Sequence, residues 1–223
     1  MIPAAGLGVA LNDDVGITVT PLPLDRTADA ARLLARAFGA DPILTHFLAG
    51  RQRRRIAYPA FFRALILETV EHQHVHAAWE RERLAGVVLW IPPRLGAPDS
   101  ALRRRAAFAR ALVKGLFPFR ARAMYRGFEA TAALHPDEPH WYLFFVGVDP
   151  DAQGRGIGRR LLLPVLRMAD RDGVLCYLET PFPGTHEFYR RLGFQLQPPT
   201  RPFCGAPPLW TMIRNPRAEQ DPA

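Results

Sequence analysis

Apolar residues change their spacing repeatedly along this chain, and each change marks an element. Ile17-Thr18-Val19-Thr20 alternates with period two, as a half-buried strand does. From Asp25 the spacing becomes helical, with Ala28, Ala31, Leu34, Ala35 and Phe38 along one face. A second helical stretch runs from about Arg54 to Glu71 and carries Phe61, Phe62, Leu65 and Ile66. Val75 to Trp79 and Leu84 to Ile91 predict two strands of a hairpin around Glu80-Arg81-Glu82-Arg83, and Pro92-Pro93 stops the second. Ser100 to about Leu134 is helical again, with a break near Phe117-Pro118. Trp141 to Val148 is a continuous apolar run, the pattern of a strand buried on both faces. Gly156 to Arg171 predicts an amphipathic helix and Val174 to Leu178 a buried strand. Thr185 to Leu192 predicts a short helix and Leu209 to Ile213 a last strand. Strands alternating with helices place the chain in the α/β or mixed α+β class. Residues 1–15 are aperiodic and read as a flexible tail, 216–223 as a disordered one, which leaves 16–215 as a single domain.

Composition narrows this reading. The 223 residues are 48% hydrophobic and 22% charged, too apolar for a disordered chain and numerous enough to build a core. Cys176 and Cys204 cannot form a disulfide framework and neither sits in a CxxC pair, so a reducing, cytoplasmic compartment is expected. The first residues lack a basic leader. The longest apolar run, Leu84 to Pro93, is about half of the roughly 20 residues a spanning helix needs. The net charge is +8, and every basic residue except Lys114 is arginine. The whole excess lies between Ser100 and Arg126, where Leu102, Ala106, Ala109, Val113 and Leu116 share one face of a basic amphipathic helix. The remainder of the chain is neutral. We read the basic stretch as a solvated face, with contact to an anionic surface or to an acidic acceptor as the alternatives, and expect neither a nucleic-acid nor a membrane partner.

The chemistry concentrates in Val146-Gly147-Val148-Asp149-Pro150-Asp151-Ala152-Gln153-Gly154-Arg155-Gly156-Ile157-Gly158-Arg159-Arg160. A strand ends at Asp149-Pro150 and a glycine-rich turn feeds directly into a helix. Alternate glycines let successive N–H groups converge, and the helix start adds its positive end, which together make a pyrophosphate cradle. Arg155, Arg159 and Arg160 are placed to screen phosphates at its rim. A Walker A loop is excluded because no Gly-Lys-Ser/Thr is present. A dinucleotide fingerprint fails because Arg159 stands where its last glycine belongs, and too few residues follow for a doubly wound sheet, although Glu179 lies near the distance of the ribose acid.

Gln153-Gly154-Arg155-Gly156-Ile157-Gly158 resembles the coenzyme A motif of the GNAT acetyltransferase superfamily, Gln/Arg-x-x-Gly-x-Gly/Ala. The likeness covers roughly residues 17–215. It narrows to the puromycin N-acetyltransferase branch through His140-Trp141-Tyr142-Leu143, Leu178-Glu179-Thr180 and Phe188-Tyr189-Arg190-Arg191-Leu192-Gly193-Phe194. One position departs: the branch carries asparagine four residues before the tyrosine, and this chain has Thr185.

The resemblance implies a mixed, strongly twisted sheet of six or seven strands flanked by helices, with splayed central strands. It implies acetyl-CoA bound by Val146, Gly147 and Val148, by Gln153 to Arg159, and by Thr185, Phe188 and Tyr189. It also implies acetyl transfer to a primary amine of a small molecule or peptide by direct attack in a ternary complex, in a monomer or homodimer. Tyr189 is the expected acid toward the departing thiolate, since a phenol and an alkyl thiol have nearby pKa values. For the base, Glu179 ranks first, His140 second, and His186 is a further candidate. Phe144, Phe145 and Phe182 point to an apolar pocket for an aromatic or aliphatic amine. His72, His74 and His76 alternate but lack a fourth ligand, so no metal is expected. The competing reading is a CoA-binding regulatory or interaction module of the same fold without efficient turnover.

Overall fold

The computed structural model describes residues 16–70, 74–93 and 118–217. The expected N-terminal tail and residues 218–223 of the C-terminal one lie outside them, as does the basic amphipathic stretch up to residue 117. Seven strands form one sheet in the order β1-β2-β3-β4-β5-β7-β6. They are β1 (Ile17–Pro21), β2 (Val75–Glu80), β3 (Arg83–Ile91), β4 (His140–Val148), β5 (Leu175–Thr180), β6 (Gln195–Leu196) and β7 (Trp210–Arg214). Every pairing is antiparallel except β4 with β5. The hairpin of β2 and β3 closes through Arg81, which adopts φ +55.

Two apolar layers cover the sheet. On one face, α1 (Thr27–Ala37) and α3 (Arg51–Val70) pack Leu34, Phe61, Phe62 and Ile66 against Val87, Leu89 and Phe145. On the other, α5 (Ile157–Arg171) places Leu161, Leu162 and Val165 against Val88, Trp90 and Leu178. α4 (Pro118–Ala132) and α2 (Pro42–Phe47) adjoin the first layer, and α6 (His186–Arg191) follows β5 through a 3-10 turn, Pro183–Thr185.

Three sequence expectations need correction. The first helix starts at Thr27, after a 3-10 turn over Leu24–Arg26. α2 and β6 were not expected, because six and two residues are too short to show a period. β4 is not buried on both faces along its length: Trp141, Leu143, Phe145 and Gly147 are buried, while Tyr142, Phe144, Val146 and Val148 are half-buried. The half-buried set borders an opening.

Two irregularities in β4 create that opening. Against β3, Leu89 pairs with Phe145 and Trp90 with Leu143, so Phe144 is an extra residue, a bulge. Before it Leu143 joins the α5-side core, and after it Phe145 joins the α1-side core. Against β5, pairing runs from His140 with Leu175 only as far as Leu143 with Leu178. Beyond that β5 continues with β7 while β4 continues with β3, so the parallel pair splays.

Candidate active site

A cavity of about 270 Å³ lies in the splay. β4 lines one wall from Tyr142 to Val148, β5 contributes Leu178 to Thr180, and α1, α2 and α4 close it with Phe38, Leu44 and Phe128. Gly147 is required here by close approach. A Cβ on it would stand 2.8 Å from Leu34 Cδ2 and 3.1 Å from Ala37 Cβ, so glycine is what lets α1 lie against β4.

From Val148 and Gln153 at the cavity's edge the chain continues onto the surface as the glycine-rich turn. Buried Asp149 ends β4, accepts from Asp151 N at 3.2 Å, and pairs with Arg36 of α1 at 2.6 Å. Gln153 Nε2 donates to Val148 O at 3.3 Å, tying the turn back to the strand. Gly154 and Gly156 have φ +76 and +75, and nothing lies within 4 Å of where a Cβ would be on either. Gly156 occupies the N-cap of α5 and no side chain caps the helix. The first-turn N–H groups and the positive end of a 15-residue helix are therefore left to an external anion. That open, cap-free glycine turn fits the diphosphate of coenzyme A.

The individual side chains sort unevenly. Ile157 is buried in the α5-side core, so only its backbone can serve a ligand. Gly158 lies under the Phe188 ring, 3.4 Å from where its Cβ would be. Arg159 is exposed at the rim. Arg155 forms a two-pronged pair with Glu80 at the end of β2, one prong at 3.0 Å, and that pair holds the Glu80 carboxyl below its ordinary range. Thr185 lines the cavity, but its hydroxyl donates to Phe182 O at 2.8 Å and takes a hydrogen bond from Thr180 Oγ1 at 2.9 Å. It braces the β5–α6 loop rather than reaching outward.

Two of the three catalytic candidates line the cavity, Tyr189 and Glu179. Tyr189 is buried, its ring edge-on to Phe188 and Phe194 at 5.0 and 5.9 Å, and burial pushes its phenol well above its ordinary value. Glu179 accepts hydrogen bonds from Tyr142 at 2.6 Å and Tyr177 at 3.1 Å. Burial, reinforced by the Glu179 charge, raises both phenols, so they stay as neutral donors. His140 does not line the cavity. It stands behind it, 3.0 Å from His135, which in turn lies 3.3 Å from Glu179. His186 is buried against Trp210, with its pKa lowered by burial, and is also outside the lining. Phe144, Phe145 and Phe182 all line the cavity, and Phe145 is also part of the core with Phe38 and Phe62. Of the three alternating histidines, His72 lies outside the described residues, His74 meets Trp141 edge-on, and His76 is buried on β2. Among the described residues no group of three His, Cys, Asp or Glu side chains is placed to hold a metal ion, and no helix is long and apolar enough to cross a membrane.

Sequence reasoning gave no site role to Asp41, His135 or Tyr142. Asp41 lines the cavity as the N-cap of α2, accepting from Leu44 N at 2.8 Å, and burial raises its carboxyl to about 6 against the pull of those backbone N–H groups. A folded-state pKa above the unfolded one means the folded state binds more protons between about pH 4 and 6, so Asp41 lowers stability as pH rises through that window. Asp41→Asn keeps a capping oxygen and removes the buried charge. It is expected to stabilise the protein by on the order of 2 kcal/mol above pH 7 and by little below pH 4, read from urea unfolding at both pH values.

The chain belongs to the Acetyltransferase (GNAT) family, whose pattern matches residues 51–194. It is 28% identical over 210 residues to an uncharacterized N-acetyltransferase of Schizosaccharomyces pombe, covering 85% of this chain and 80% of that one. Among solved structures, a histone acetyltransferase HPA2-related acetyltransferase of Corynebacterium glutamicum superposes with a TM-score of 0.61 at 24% identity, over 92% of this chain and 99% of that one. A polyamine N-acetyltransferase of Drosophila melanogaster, which forms N-acetylagmatine, superposes with a TM-score of 0.61 at 19% identity, over 89% and 99%. These two likenesses show the fold. The protein is an acyltransferase of the N-acetyltransferase kind, a family whose cosubstrate is acetyl-CoA.

Proposed function

We propose that this protein transfers an acetyl group from acetyl-CoA to a primary amine with an apolar body, by direct attack within a ternary complex. One observation carries the reading. The free edge of β4, a buried phenol and a buried carboxylate meet in one cavity with aromatic walls. When bound, acetyl-CoA supplies an acetyl thioester, an electrophile that a neutral amine can attack. Val146, Gly147 and Val148 set the edge of β4 that does not pair with β5 beside its pantetheine arm, and Gln153 to Arg159 hold its diphosphate, with Thr185 and Phe188 beside them. Tyr189 keeps the proton that the departing sulfur requires, and Glu179 receives the ammonium proton of the acceptor. Phe128, Phe144 and Phe182 give the acceptor an apolar wall, while Asp41 and Glu179 give its ammonium a negative one.

The motifs from His140 to Phe194 support a place in the puromycin N-acetyltransferase branch. Residues 16–215 as a single domain, a cytoplasmic site of action, and a monomer or homodimer complete the proposal. A thiol-release assay with acetyl-CoA and a panel of amines tests it. Arylalkyl or long aliphatic primary amines are expected to turn over at least tenfold better than putrescine or spermidine. A preference for the polyamines would overturn the apolar acceptor site. Coenzyme A binding with no amine acetylated would overturn turnover itself and leave a binding module.

A further inference from the structure

Behind Glu179 the hydrogen-bond partners fix where protons can sit. Glu138 O is a carbonyl and only accepts, so His140 Nδ1, 2.8 Å away, carries a hydrogen. His140 Nε2 and His135 Nδ1 are 3.0 Å apart and share one hydrogen between them. His135 Nε2 faces Glu179 Oε1 at 3.3 Å, a contact that is favourable only with a hydrogen between nitrogen and carboxylate. Three hydrogens therefore bridge the line Glu179–His135–His140–Glu138 when every contact is satisfied. Removing one leaves the Glu179 oxygen and the His135 lone pair facing each other, a site that takes a proton back. The line has a direction as well. Glu179 lines the cavity with 9% of its side chain exposed, His135 has 21%, and His140 follows a loop whose residues 137–139 are exposed. The His135 ring is clasped between Tyr142 of β4 and Tyr177 of β5 at 4.4 and 4.5 Å, which holds its two nitrogens toward their partners.

We propose that His135 and His140 form a proton relay that carries the acceptor's ammonium proton from Glu179 to solvent. The inference rests on the acetyltransferase reading above. The acceptor N–H bond breaks and a hydrogen returns to the Glu179–His135 contact. The hydrogen on His135 Nδ1 passes to His140 Nε2, and His140 releases one to water. One proton enters, one leaves, and the neutral amine remains in the cavity. Among the described residues the titratable groups facing the relay include Tyr142 from β4 and Tyr177 and Glu179 from β5, and both phenols stay protonated throughout. His135 and His140 touch no substrate, so they act as positioning and transfer groups for Glu179.

The pH dependence of kcat/KM for the amine is the first test, on the full chain with His135→Gln and His140→Gln. Each variant is expected to lose about 10–100-fold on the plateau. The loss should fall on the amine side of the reaction, and KM for acetyl-CoA should not change. Added imidazole should restore part of the rate to His135→Ala. Profiles that superpose on wild type would overturn the relay. A second readout needs no turnover: nitrogen-15 titration of the histidine rings. The ring signals of His135 and His140 are expected to respond together, and Glu179→Gln should alter that shared response. Independent titration unaffected by Glu179→Gln would remove the relay even in an active enzyme. Failure of the wild type to acetylate any amine would instead remove the functional reading on which it stands.

Discussion

Tyr189→Phe is expected to lower turnover by about two orders of magnitude or more while the dissociation constant of acetyl-CoA stays within about twofold. The substitution removes one oxygen and leaves the ring that packs edge-on to Phe188 and Phe194, so neither the core nor the cofactor wall is disturbed. What disappears is the proton. Burial raises the Tyr189 phenol, which keeps it protonated at neutral pH. The same surroundings disfavour a bare thiolate, so donor and acceptor are raised together and the transfer stays closely matched. Without the hydroxyl, sulfur has to leave as an unrelieved anion in an apolar cavity. Steady-state turnover by thiol release, set beside calorimetric binding of coenzyme A, separates the two quantities. Undiminished turnover in the variant would remove Tyr189 from the mechanism.

The cradle and the strand before it were legible in the sequence because their chemistry is local. Alternate glycines between a strand and a helix have few uses, and Gly154 and Gly156 adopt the left-handed backbone that the pattern implied. The sheet's alternation with helices was legible for the same reason: each element carries its own period. The acceptor side was not. Asp41 reaches the cavity through a six-residue helix that no periodicity reveals, and its carboxylate looks in sequence like any Asp-Pro turn. His135 sits between α4 and β4, where a single histidine has no signature; its meaning comes from His140 five residues on and from Glu179, which the pairing of β4 with β5, 35 residues apart in order, brings beside them. The bulge at Phe144 was hidden in a run of apolar residues, since a continuous run carries no phase and so cannot show where the phase slips. That slip turns Val146 and Val148 toward the α5 side and lets β4 leave β5, so the feature that makes the site is the one the pattern could not display.

The site also depends on a buried ion pair remote from the cavity. Arg214 of β7 is 3% exposed, with both terminal nitrogens 2.7 Å from the Asp170 carboxylate near the end of α5 and Nε 2.9 Å from Leu192 O just past α6. Asp170 also accepts Arg217 N at 2.7 Å. One guanidinium thus joins three elements: the helix that opens the cradle, the helix that carries Tyr189, and the strand paired with β5 through Cys176. Arg214→Met fills similar space but removes both guanidinium donors from the Asp170 carboxylate and the Nε donor from the Leu192 carbonyl, and it is expected to cost about 3–5 kcal/mol in urea unfolding, with the m-value unchanged. The pH dependence identifies the cause. Burial opposes ionisation of Asp170, but the hydrogen bonds and charge of Arg214 and Arg217 outweigh it and hold the carboxyl below its ordinary range. A depressed folded-state pKa gives stability that is fully present above the unfolded value, about 3.9, and is lost as pH falls through the folded one. The gap between wild type and Arg214→Met should therefore be constant from pH 6 to 8 and narrow below about pH 4. A gap that held its full size in acid would mean that Arg214 contributes by filling space and not by pairing with Asp170.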